Sequence, residues 1–119
     1  MTAINIPEMF STIDRKDSKG LLNYMNKNAG FRFANIPEIE GRENIFNFLE
    51  QFFGSIKALK HDQLEYWQKD DRISVMGKVS YTRHDDSSFA VPFSVVLEMD
   101  KDKIKRYLIF SDASQLYNG

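Results

Sequence analysis

Apolar residues keep a helical rhythm through the first 53 positions, interrupted by one aromatic strand, and alternate with polar ones beyond Gly54. Ile6, Met9, Phe10 and Ile13 stand at helical spacing, and Pro7 suits a first helical turn, where its missing N–H costs little. They predict a helix running to about Lys16. Asp17 or Ser18 can cap a second, short helix with Leu21, Leu22 and Met25 as its apolar stripe, and Asn28 with Gly30 supplies a stop signal. A short aromatic strand, FRFAN at 31–35, then passes through Pro37 and Gly41 into a third helix that begins near Arg42. Its Ile45, Phe46, Leu49, Phe52, Phe53 and Ile56 form a wide stripe of the kind that lies on a sheet. An aromatic strand followed by a helix of phenylalanines implies a cone-shaped pocket rather than a solid core.

The second half reads as four strands, 58–68, 72–83, 88–99 and 103–113, separated by the polar turns QKDD, HDDS and DKDK. An antiparallel meander is the simplest arrangement. Ile73, Val75, Gly77, Val79, Tyr81 and Arg83 share one face, which is apolar until it ends in two polar groups. Phe89, Val91, Phe93, Val95, Leu97 and Met99 share a face of the next strand, where Pro92 signals an edge or a bulge. On the last strand strict alternation puts Asp112 with Phe110 and Leu108. Arg106 has the same phase, so it either points inward to pair with Asp112 or is turned out by a bulge. The predicted fold class is α+β: three N-terminal helices packed on a strongly curved, mixed or antiparallel sheet that forms a cone with an internal pocket.

Composition narrows the partners. The 119 residues contain no Pro-, Gly- or Ser-rich linker, which fits one domain over 1–119. The 16 basic and 17 acidic residues are interspersed, so neither nucleic acid nor an anionic membrane is an expected partner. With no cysteine, disulfides, thiol nucleophiles and cysteine-based zinc sites are excluded, and the two histidines, 23 positions apart, form no metal motif. No metal and no cofactor are expected. MTAINIPEMF is no targeting segment and nothing approaches the ~20 apolar residues of a membrane span, so a cytoplasmic location is expected.

The order of elements, together with Asp17 and Gly20, FRFAN at 31–35, Gly41 with Arg42, the phenylalanine helix, His61, Trp67, YTR at 81–83, VPF at 91–93 and FSD at 110–112, resembles the SnoaL-like branch of the nuclear transport factor 2-like (cystatin-like α+β cone) superfamily. The resemblance covers nearly the whole chain and implies fold more firmly than function, since the superfamily includes isomerases, cyclases, epoxide hydrolases, dehydratases and transport adaptors. The ketosteroid isomerase machinery needs a carboxylate base, a tyrosine and a protonated aspartic acid. Motif order puts Asn35, Met9 and Phe93 or Ser94 at those positions, and none can play its part. Limonene-epoxide-type hydrolases use two carboxylates bridged by an arginine; Arg83 with Asp85 is similar to half of that site, while Ile109 stands where the second acid belongs. The resemblance to SnoaL-like cyclases implies proton transfer beside a carbonyl between apolar walls.

For that chemistry His61 and Asp112 are the candidate bases, with Tyr81 and Arg83 holding the carbonyl oxygen. The plain alternatives are a surface histidine between Lys60 and Asp62, a capping carboxylate before Ala113, and a solvated or salt-bridged arginine. His84, beside Asp85 and Asp86, reads as solvated. Phe33, Asn35, Phe53, Trp67, Phe93 and Phe110 are the candidate ligand contacts, although aromatic stripes of this kind also fill ordinary cores. The expected ligand is a small apolar or carbonyl-containing molecule. A non-catalytic assembly module is the competing reading, a homodimer pairing through the outer sheet face, with Tyr66, Met76 and Ile109 as its apolar candidates.

Overall fold

The computed structural model of the chain describes residues 4–112 and residue 114. Helix α1 (Ile6–Asp14) is capped by Asn5, whose side-chain oxygen accepts the Glu8 N–H at 3.1 Å, and it buries Ile6, Met9, Phe10 and Ile13. It stops at Asp14 because Lys16 turns into the left-handed region at φ 59° and donates its N–H to Ile13 O at 2.8 Å. Helix α2 (Ser18–Leu22) is capped by Asp17, which accepts the Gly20 N–H at 2.9 Å. Met25 does not extend this helix. It opens strand β1 (Met25–Phe33), where it pairs with Ile104 and its carbonyl accepts from the Arg42 guanidinium, so Asn28 and Gly30 lie inside a strand that is longer and starts earlier than expected.

Strand β2 (Ile39–Glu40), helix α3 (Arg42–Gly54) and strands β3 (Ala58–Lys69), β4 (Arg72–Thr82), β5 (Ser88–Asp100) and β6 (Lys103–Ser111) complete the order. The sheet is six-stranded and open, in the order β2-β1-β6-β5-β4-β3, with β1 and β6 parallel and every other pair antiparallel. The meander expected for the second half is therefore β3 to β6, and β1 lies along its far side. Residue 113, the expected end of the last strand, lies outside the described residues. The helices cover one face of the sheet, and the core between the layers is made by α1, α2 and α3 against the odd-numbered positions of β4 and β5. Pro92 lies one residue past the last β5–β6 pair, and its carbonyl accepts from Ser111 Oγ at 3.1 Å, so its missing N–H falls where β6 has ended.

Two bulges decide which side chains face that core. In β3 the register with β4 shifts between Asp62 and Glu65, with Gln63 at φ 55°, and the extra residue exchanges the two faces of the strand. Leu59 and His61 face inward before the bulge; Trp67, opposite the outward Ser74, faces outward after it. In β6 the register with β5 shifts beside Lys105: Ile104 is inward before the shift, and Tyr107, Ile109 and Ser111 are inward after it. Arg106 is accordingly turned out. It donates to Glu38 at 2.6 and 3.1 Å and to Glu98 at 3.1 Å, not to Asp112, and ties the loop before β2 to β5. The Arg106 hydrogen bonds hold the Glu38 carboxyl below the usual carboxylate range. Among the described residues no helix is long and apolar enough to cross a membrane.

Candidate functional site

Between the helices and the sheet lies a narrow hollow of about 40 Å³. Its walls are rings: Phe31, Phe33, Phe48, Phe52, Phe53 and Phe93 line it, with Val79, Val95 and Ile109 from the sheet floor. The rings touch one another, Phe48 stacking on Phe52 at 6.2 Å and Phe33 tilting onto Phe52 at 5.2 Å. The pocket expected from the sequence is thus largely filled by its own walls, with room for water rather than for a ring-sized ligand. Phe48, on the turn of α3 between the expected stripe positions, belongs to the lining and was not among the candidates.

Among the described lining residues His61, Tyr81, Tyr107 and Ser111 bring the polar side-chain atoms. The His61 ring lies between Phe10 and Phe93, at 4.9 and 5.0 Å, and its side chain is only 11% exposed. Its partner is Asp14, the last residue of α1. The Asp14 carboxylate lies 2.7 Å from His61 Nδ1 and accepts the His61 backbone N–H at 3.0 and 3.1 Å. Because a carboxylate only accepts, Nδ1 is the donor in this contact, and the ring lines the hollow. The same contact satisfies an outward N–H of β3, which is an edge strand. Tyr107 is 1% exposed and stacks on Phe31 at 5.3 Å; burial, with the charge of Asp14 and the neighbouring Tyr81 adding to it, pushes its hydroxyl far above the ordinary phenol range.

Other expected positions lie elsewhere. Asp112 is exposed on the outer phase of β6 and accepts the Ser114 N–H at 3.0 Å, which holds its carboxyl below the usual range; it does not meet His61. Phe110 is 52% and Trp67 55% exposed, so neither walls the hollow, and Asn35 is exposed in the turn after β1. The two bulges explain Asp112, Phe110 and Trp67: the one in β6 reverses the alternation by which Phe110 and Asp112 were expected inside, and the one in β3 turns the aromatic Trp67 outward. Arg83 follows the end of β4, lies over the Phe89 ring at 4.6 Å and donates to Ser87 Oγ at 2.9 Å, outside the lining. Asp85 accepts from Ser87 in the same exposed turn and is not paired with a second acid. His84 is exposed, its Nε2 2.9 Å from Gly54 O. Ile109 faces the hollow rather than the outer surface; Tyr66 takes the inward phase after the β3 bulge, yet stays exposed beyond the helices. Phe33, Phe53, Phe93, Tyr81 and His61 are the candidates that the fold brings together. Among the described residues no three metal-ligating side chains converge.

The profile of the SnoaL-like domain matches residues 6–107. No curated protein matches the sequence. Among solved structures, a candidate polyketide cyclase from Xanthomonas campestris pv. campestris superposes with a TM-score of 0.85 at 13% identity, over 92% of this chain and 89% of that one. TerC, co-crystallised with polyporic acid, gives 0.82 at 17% identity over 95% and 92% of the two chains. A protein with a ketosteroid isomerase-like fold from Catenulispora acidiphila DSM 44928, in complex with trimethylamine, gives 0.82 at 13% identity over 92% and 86%. At these identities the likeness shows a shared fold.

Proposed function

This chain belongs to the SnoaL-like domain family, and we propose that it binds a small, largely apolar carbonyl compound in the inner hollow and moves a proton on it with His61, held by Asp14. The observation that carries this reading is the 2.7 Å contact between His61 Nδ1 and Asp14, made by a histidine whose ring forms part of an aromatic wall. TerC's polyporic acid supports a ring-bearing ligand. The hollow is read as the closed form of a cone whose mouth the helices cover, and Phe48 and Phe52 must part to admit a ring, since sites for drug-sized ligands run to about 300–1,000 Å³.

His61 Nε2 takes the proton from the carbon beside the carbonyl, leaving an enolate and an imidazolium. Asp14 stabilises the imidazolium through Nδ1–H, and the neutral Tyr107 hydroxyl, which lines the same hollow, donates to the enolate oxygen. Return of the proton to a different carbon is an isomerisation, and attack of the enolate carbon on a second carbonyl closes a ring. The reaction class needs no cofactor. The test is hydrogen–deuterium exchange at the α-carbon of 2-tetralone in D2O, followed by NMR. Exchange faster than buffer is expected, with His61→Ala losing about 10²–10⁴-fold and Asp14→Asn losing less while the probe stays bound. Exchange at the buffer rate, or a rate untouched by His61→Ala, removes the catalytic reading and leaves a binding module.

We also propose self-association through the outer sheet face, because Trp67 and Met76 are exposed there as diagonal neighbours across β3 and β4.

A further inference from the structure

We propose that the ligand site has a second lobe at the rim of the sheet, where an open cleft takes the hydroxyl-bearing end of an elongated aromatic compound whose body occupies the inner hollow. This rests on the hollow being the ligand site. Because β1 and β6 are parallel, they end side by side, and a cleft of about 730 Å³ lies round their ends. Phe33 and Ser111 line this cleft and the inner hollow alike, so the two spaces are separated by one layer of side chains. Phe33 and Ser111 come from the inward phase and Arg32 and Phe110 from the outward one, which makes the cleft a passage round the end of the sheet rather than a dent on one face.

The rim is built for a ligand with both polar and apolar parts. Two of the exposed large apolar side chains, Ile36 and Phe110, stand in it. A cation and an anion, Arg32 and Asp112, line the same cleft. Arg32 donates Nε–H to Ala34 O at 3.0 Å, and its terminal N–H groups make no hydrogen bond among the described residues. Ala34 itself sits in the left-handed region at φ 53°, held there by this bond and by its own N–H to Ile109 O at 3.0 Å; a strained alanine of this kind, fixed by two bonds, turns Asn35 and Ile36 into the cleft wall. A bare carboxylate would meet Arg32 and be repelled by Asp112. A hydroxyl suits either group, since it can accept from the guanidinium or donate to the carboxylate.

The experiment compares naphthalene-2,6-diol with 2-naphthol by fluorescence titration of the full chain, with amide NMR shifts to locate the probes. The diol is expected to bind about fivefold tighter, the worth of a net hydrogen bond or two in a wet cleft, and to shift Asn35 and Ile36 as well as His61 and Val79. Arg32→Gln and, separately, Asp112→Asn should each reduce that advantage without weakening 2-naphthol. Equal affinities in the unaltered chain, or an advantage that survives both substitutions, overturn the outer lobe while leaving the inner site standing. Failure of both probes to shift His61 and Val79 overturns the inner site and the outer lobe with it.

Discussion

A carboxylate as the last residue of a helix sits against the partial negative charge of the carbonyl end, an arrangement disfavoured by some tenths of a kcal/mol. Asp14 occupies that place at the end of α1, and α1 has no basic residue in its last turn. What holds it there is the His61 backbone N–H and ring N–H together. Tyr107, which feels the charge of Asp14, is a hydroxyl kept neutral by burial. Below about pH 10, the ordinary phenol range, the folded and unfolded chains both keep that proton and stability does not depend on it. Above pH 10 the unfolded chain releases the proton while the folded chain retains it, so stability falls by up to about 1.4 kcal/mol per pH unit from this group. Urea unfolding between pH 9 and 11.5 should therefore show a steeper alkaline loss in the unaltered chain than in Tyr107→Phe. Parallel curves would mean that the buried phenol ionises in the native state.

At the scale of elements, the bulge in β3 depends on a residue in the neighbouring strand. Gly77 lies opposite the extra residue, and a β-carbon there would stand 2.7 Å from the Asp62 carbonyl oxygen and 3.1 Å from the Phe93 ring. Gly77→Ala must push a backbone atom aside, and a loss of about 1–3 kcal/mol in urea unfolding is expected; an unchanged midpoint would show that the bulge slides to make room. The same bulge marks where reading by alternation stops. β4 and β5 were legible because their faces alternate without interruption and their turns are polar. β3 and β6 each gain a residue, and a phase counted from either end is wrong at the other, which is how Phe110 and Asp112 came to be expected inside; Trp67, expected inside as an aromatic, is turned out by the bulge in β3. Helix α2 was overrun at Met25 because an apolar residue three positions beyond Leu22 looks the same on a helix stripe as at the start of a buried strand. The partnership of Asp14 with His61 spans 47 positions and no spacing rule reaches that far; with the helix expected to run to Lys16, Asp14 did not stand out as its last residue.

For the whole molecule, the helices cover one face of the sheet and leave Trp67 and Met76 exposed on the other, with Met76 in one lateral row with Ser94 and Phe110. If that face pairs two copies, light scattering at micromolar concentration should give twice the chain mass, and Trp67→Glu should return it to one without loss of helix or strand signal. A monomer in the unaltered chain would remove the pairing. The superfamily resemblance carried the layer architecture because it rests on element order, which bulges leave intact; of the residues that it rests on, Phe33, His61, Tyr81 and Phe93 line the hollow, while Trp67, Phe110 and Asp112 do not. One further consequence follows from strand order. β6 inserts between β1 and β5, so a chain still emerging from the ribosome can form the β3–β4–β5 meander, yet has no strand to pair it with β1 until residues 103–111 appear. Two half-sheets, each with a bare inner margin, then wait for the same segment. During synthesis that gap is where a neighbouring nascent chain can dock in error, and a chaperone that shields the β5 margin until the last strand arrives would raise the yield of correctly assembled protein.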